Sequence, residues 1–147
     1  MKLHFYNSLI ALFGGLFASS TLFIIICFID IYFGGELKNP FSATFLGNFL
    51  YYLIFAGVLE EGTKFLLIKR DVGQYPYGFL LGFSFGTGET FFTHPFSEFG
   101  MAIPSRSGVI LLHTFTAGII AYFVAKNKPL LGLAVAIVIH AFFDTLV

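Results

Sequence analysis

The sequence predicts an all-α, multi-pass transmembrane helical bundle of about five spans, and three observations carry that reading. Apolar residues make up 57% of the 147 positions and charged ones only 11%, with 22 phenylalanines, whereas a water-soluble chain carries about a quarter charged residues. The apolar residues gather into five stretches, each near the ~20 residues that a 30 Å hydrocarbon layer requires, divided by short polar separators. Ionisable groups nevertheless stand inside four of these stretches: Glu60, Glu61 and Lys64, then Glu89, then His113, then His140 and Asp144. A charged group at helix centre costs about 2.5–3.5 kcal/mol on insertion scales, so four acids and a lysine facing lipid would cost roughly 12–18 kcal/mol. They must face one another or a polar cavity, and intramembrane ionisable groups mark function by default.

The length suits a single integral-membrane domain over residues 1–147. The first span, about 8–33, follows Lys2; a cleaved signal ending near Ala18-Ser19-Ser20 is disfavoured because the apolar run continues through Ile26. Spans two to five are expected at about 42–68, 76–93, 106–125 and 129–146. Pro40, Pro76 and Pro129 suit first-turn positions, where a missing N–H costs nothing. Pro95 and Pro104 bracket the longest loop, from His94 to Arg106. Lys2, Lys69, Arg70, Lys126 and Lys128 fall on one side of a five-span alternation and Lys38 and Arg106 on the other, which predicts an inside N-terminus and an outside C-terminus. Zero net charge gives no sign of a nucleic-acid partner. Cys27, the single cysteine, excludes an internal disulfide and a Cys-based metal cluster.

Small residues mark the faces on which helices meet. Gly78, Gly82 and Gly86 repeat every four positions, and Glu89 continues their stripe. Gly132, Ala136, His140 and Asp144 form a second such row, and His113 shares a face with Thr116 and Ala117. Counted from the basic side at 1.5 Å per residue, Glu89, His113 and His140 all lie about 18–20 Å deep, Glu60 about 13 Å and Asp144 about 24 Å. Three helices thus bring one carboxylate and two imidazoles to a common level.

Glu89, His113 and His140 form a His₂Glu ligand set of the kind that leaves a fourth zinc position open for water. Glu60 or Glu61 would then act as general base, with Asp144 orienting the His140 ring or holding a substrate amide. Glu60, Glu61, Glu89 and Asp144 against Lys64 sum to minus three, a charge that calls for protons or a divalent cation. In a metal-free version one glutamate activates water directly and the histidines stabilise the oxyanion. Lys64 pairs with one glutamate. The i, i+4 spacing to Glu60 is the favourable order, and the spacing alone does not choose. Taken singly, each histidine reads as a packing residue and the Glu–Lys pair as a structural ion pair; the joint pattern over four spans carries the functional reading. His4, His94 and Glu98 are expected in loops or at the interface, with no role.

These residues resemble a known family. Glu60-Glu61-Gly62-Thr63-Lys64 is similar to the EExxK motif of the PrsW family of intramembrane proteases, and Phe85-Gly86-Thr87-Gly88-Glu89 to its FxxxE motif. His113 resembles its third-motif histidine, with Arg106 similar to an arginine recurring seven residues earlier, and His140-Ala141-Phe142-Phe143-Asp144 its last motif. The resemblance covers about residues 55–147. It implies hydrolysis of peptide bonds in membrane-anchored proteins such as anti-sigma factors, within a bacterial cytoplasmic membrane. By position it nominates Glu60, Glu61, Glu89, His113, His140 and Asp144. The related CAAX prenyl proteases have His where this chain has Glu89 and Asn where it has Asp144, which argues against prenylated substrates. Family members generally have more spans, so a minimal member, a fragment and a bundle completed by homo-oligomerisation stay open. Two other classes are weighed beside hydrolysis: a proton- or cation-coupled transporter, although no two related halves are visible, and a catalytically inactive binding or immunity protein.

Overall fold

An apolar run in a non-aqueous setting must satisfy its own backbone N–H and C=O groups, and a helix does so within one segment. A computed structural model describes residues 2–32, 44–70, 75–93 and 106–146, and among these every regular element is helical. The first helix, α1, is Lys2–Tyr32. A second rod runs without a break through α2 (Phe45–Tyr52), a π-helical segment (Leu53–Glu61) and α3 (Gly62–Arg70). Then come α4 (Tyr75–Thr93), α5 (Ser107–Ala125) and α6 (Pro129–Leu146). The His94–Arg106 loop up to residue 105, the separator containing Lys38 and Pro40, and residues 71–74 lie outside the described residues, as do the side chains of Lys2, Lys69 and Arg70 on which the orientation partly rests.

Three helices are long and apolar enough to cross a membrane: α1 over His4–Ile29, α5 and α6. This is consistent with an integral membrane protein. The other two expected spans are not among these three. The 45–70 rod passes from α- to π- to α-helix in pieces of eight, nine and nine residues, none long enough singly, although the continuous rod has the length of a bilayer crossing. α4 has 19 residues, but its glycines, threonines and Glu89 dilute its apolar character. α4 is instead the buried helix of the bundle, held between α1 on one side and α5 on the other, while α6 lies against α5 and the π segment.

Local signals place the ends. Thr44, in an extended conformation, caps α2 by accepting a 3.0 Å bond from the Gly47 N–H, so this rod starts three residues later than the apolar run. Between α5 and α6 the chain turns through Asn127 at φ 57°, and Lys128 N–H bonds back to Phe123 O at 2.8 Å. That six-to-one bond with a left-handed residue is a Schellman turn, and Pro129 then opens α6.

The small-residue rows are where the backbones meet. A Cβ on Gly82 would run into the carbonyl oxygen of His113, and one on Gly86 would lie 2.8 Å from Ile110 Cα. On the opposite face of α4, Gly15 of α1 abuts Ser84, whose hydroxyl donates to Ala11 O at 3.1 Å. His4 lies in α1, not in a loop, and its Nδ1 is 2.6 Å from the Tyr77 hydroxyl of α4. Phe17, Phe28, Phe115, Leu130 and Phe142 point outward, whereas Glu61, Lys64, His113, Thr116 and His140 are buried. The molecule thus has a buried polar cluster set in an apolar core that includes Ile68, Leu81 and Ile120, and an apolar exterior.

Gly82→Ala should therefore destabilise the fold by about 1–3 kcal/mol, since the added methyl must displace α5 backbone. Gly62→Ala, where a Cβ meets nothing within 4 Å, should be neutral or stabilising by about 0.5–1 kcal/mol. Thermal unfolding of the solubilised protein followed by circular dichroism compares them. Equal midpoints would contradict the close approach of α4 and α5.

Candidate functional site

The site grows from the π segment. Its wider turn separates successive residues by about 80° instead of about 100°, and Glu60 and Glu61 close it. Both carboxylates consequently face the interior. Gly57, one π turn earlier, lets this segment lie against α6, since a Cβ there would be 3.0 Å from Ile137 O.

Glu61 is fully buried and heavily bonded. Its Oε1 lies 2.5 Å from Lys64 Nζ and 2.6 Å from His140 Nδ1, and accepts from the Thr116 hydroxyl at 3.1 Å. Lys64, also fully buried, lies 2.7 Å from His113 Nδ1 and 3.4 Å from Thr116 Oγ1, with its ammonium 4.8 Å above the Phe85 ring. The pairing of Lys64 is thus with Glu61 at i, i+3 and not with Glu60 at i, i+4. Both spacings are open to a regular helix, and the further partners of Glu61 on α5 and α6, Thr116 and His140, draw the carboxylate and the ammonium together.

Glu60 faces the other nitrogens. Its Oε2 is 3.7 Å from His113 Nε2 and 3.8 Å from His140 Nε2. This oxygen is buried and accepts no hydrogen bond, and Glu61 Oε2 shares that condition. The two adjacent glutamates therefore address the two nitrogens of one imidazole, Glu61 at Nδ1 and Glu60 at Nε2 of His140. The His113 and His140 rings stand edge to face, with centroids 5.1 Å apart. Glu89 Oε2 lies 2.5 Å from His113 Nε2, and Asp144 Oδ2 lies 3.3 Å from His140 Nε2. Glu89 and Asp144 are the most exposed of these side chains, at 28% and 24%, and form the mouth of the site.

All seven residues singled out from the sequence come together here. The sequence reading missed three features: the π geometry, the Thr116 hydroxyl as a bridge between Lys64 and Glu61, and the Phe85 ring wedged against His113 with centroids 5.0 Å apart. Thr116 was findable, because it stands one helical turn after His113 on a small-residue face. Nothing in the sequence announces the π turn. No described protein family, no curated protein and no solved structure matches the chain.

Among the described residues, the group whose spacing could hold a metal is Glu60, His113 and His140, with ligand atoms all within 4.8 Å of one another. Glu60 thus replaces Glu89 in the expected set, because Glu89 is engaged with His113 Nε2. A tetrahedral zinc with bonds of about 2.0–2.2 Å needs ligand atoms roughly 3.4 Å apart, close to the 3.7 and 3.8 Å found around Glu60 Oε2. Two of the three ligand spacings thus approach the tetrahedral value. His113 Nε2 is also hydrogen-bonded to Glu89 Oε2 at 2.5 Å, a contact that a bound ion would have to displace.

The buried Lys64–Glu61 pair gives a stability prediction. Lys64→Met strands the Glu61 carboxylate and should cost about 3–5 kcal/mol. Adding Glu61→Gln should recover a large part of that loss, since neither residue is then charged. Unfolding midpoints of the single and double variants measure this, and a double variant no more stable than Lys64→Met would contradict the pairing.

Proposed function

We propose that the protein is a membrane-embedded endopeptidase that hydrolyses peptide bonds of membrane-anchored proteins, with Glu60 as the general base. The observation that carries this reading is Glu60 Oε2: buried, accepting no hydrogen bond, and facing the Nε2 atoms of two histidines at 3.7 and 3.8 Å. A buried carboxylate oxygen without a partner is costly, and one aimed between two imidazoles frames the position of a water molecule. The motif resemblance to PrsW-type proteases supports the same assignment.

In the proposed reaction Glu60 takes a proton from water as the water oxygen attacks the scissile carbonyl carbon. The carbonyl π electrons move to the oxygen, and a preorganised His113 N–H stabilises that oxyanion. The intermediate collapses with cleavage of the C–N bond, and Glu60 returns its proton to the departing amine. Glu61 holds the His140 ring through Nδ1, and Asp144 orients the same ring or a substrate amide at the mouth. Glu89, now bonded to His113, yields its place to the substrate carbonyl. None of these steps is routed through a metal ion; a zinc held by Glu60, His113 and His140 would, like the substrate carbonyl, have to displace Glu89 from His113 Nε2.

The apolar exterior surrounding this site suits a substrate that arrives through lipid, for which anti-sigma factors are the class the resemblance implies. In this reading all five rods cross a bacterial cytoplasmic membrane, with the N-terminus inside. In a Cys27→Ala background, Ser107→Cys should react with a membrane-impermeant thiol reagent in intact cells. Protection there, with labelling only after lysis, would invert the orientation.

For the reaction itself, Glu60→Gln should lower cleavage of a membrane-anchored reporter by about 10²–10⁴-fold. Glu61→Gln should lose more in folded protein and less in turnover per folded molecule. Wild-type cleavage by both variants at matched protein level would remove hydrolysis from consideration and favour a carrier or an inactive binding protein.

A further inference from the structure

Building on the hydrolytic reading of this same site, we infer that Lys64 is a positioning residue that fixes His113 as the Nε2–H tautomer, so that His113 presents a proton donor and not a metal-binding lone pair at Nε2. The argument is one of donors and acceptors. An ammonium group has three N–H donors and no acceptor. Lys64 Nζ has three partners: Glu61 Oε1 at 2.5 Å, Thr116 Oγ1 at 3.4 Å and His113 Nδ1 at 2.7 Å. The first is a carboxylate oxygen. The second is a hydroxyl whose own proton has two acceptors within reach, Glu61 Oε1 at 3.1 Å and His113 O at 3.3 Å, and with either one its lone pair is left for Lys64. The third N–H must then be accepted by His113 Nδ1.

A neutral imidazole carries a single proton. With Nδ1 accepting, that proton sits on Nε2, where it meets Glu89 Oε2 at 2.5 Å. The Glu89 contact alone leaves the position of the proton undecided, because a carboxylic acid could equally donate to a bare Nε2. Lys64 decides it. Phe85 packs against the same imidazole, its ring lying 5.0 Å from that of His113 and beneath the ammonium. His140 has the opposite arrangement. Its Nδ1–H donates to Glu61 Oε1 at 2.6 Å, and its Nε2 faces two carboxylates, Asp144 Oδ2 at 3.3 Å and Glu60 Oε2 at 3.8 Å. The two histidines are therefore not equivalent: Nδ1 accepts in His113 and donates in His140.

Magic-angle-spinning NMR of the full-length protein, labelled with ¹³C,¹⁵N-histidine and reconstituted in lipid vesicles, reads this directly. Its ring signals separate protonated, bare and metal-bound nitrogens, and the loss of signals in His113→Asn assigns His113. The expected wild-type spectrum has His113 protonated on Nε2 and bare on Nδ1, unmoved when zinc chloride alone is added at equimolar concentration. Protonation on Nδ1, protonation on both nitrogens, or a zinc-induced shift of Nε2 would overturn the inference. Lys64→Gln, whose amide still donates, should retain the tautomer, whereas Lys64→Met should lose it; identical His113 spectra in wild type and Lys64→Met would also overturn it. Where Lys64→Met does not fold, the wild-type spectrum decides. An Nε2–H His113 in a protein that cleaves no reporter sustains this inference and removes the hydrolytic reading alone. Cleavage by a protein with Nδ1–H His113 removes the inference and leaves the hydrolytic reading standing.

Discussion

One oxygen atom, Glu61 Oε1, organises the interior. It meets Lys64 Nζ, the Thr116 hydroxyl and His140 Nδ1, and so joins the π segment, α3, α5 and α6 at a single point. A fully buried ion pair is seldom favourable by itself, because desolvation offsets the attraction unless further hydrogen bonds satisfy both partners. Here those bonds come from two other helices, which makes assembly of the helices and neutralisation of the charge the same event. The network is strongest when complete and expensive when any member is missing.

That constraint explains features that otherwise look unrelated. Bringing α5 close enough to offer His113 and Thr116 requires α4 to be nearly bare on that side, hence glycine at 78, 82 and 86. Bringing α6 close enough to offer His140 requires Gly132 against Phe123 and Ile120, and Gly57 against Ile137. The bulky residues are consequently displaced to the outside, where phenylalanines and leucines form an apolar surface. The π segment ends at this point, and Glu60, which is not paired with Lys64, keeps an oxygen that the interior does not satisfy.

Much of this was legible in the sequence because the signals were redundant. Five apolar stretches became five helical rods, with α6 coinciding with its expected bounds and α5 starting one residue later. His113 and His140 could be placed together because each sits in a row of small residues at i, i+4 spacing, and depth counted from the basic residues pointed to one level. What failed was finer. Choosing between Glu60 and Glu61 depends on helical pitch, and a π segment has no composition of its own, so the spacing left the partner of Lys64 open. Glu89 looked like a ligand because its depth matched, yet depth does not say which nitrogen of His113 it meets. Three helices have by themselves the length and apolarity of a bilayer crossing; α4 has the length but less apolarity, and the 45–70 rod reaches that length only as three joined segments.

The central claim is that Glu60 Oε2 and the two facing imidazole nitrogens frame a reactive water. A structure of the protein in lipid at a resolution that shows ordered solvent tests it most directly. The account predicts a density peak about 2.6–3.2 Å from Glu60 Oε2, within hydrogen-bond reach of His113 or His140 Nε2, and without anomalous signal at the zinc edge. A peak bonded at about 2.0–2.2 Å to Glu60, His113 and His140, or a Glu60 carboxylate turned away from both rings, would contradict it.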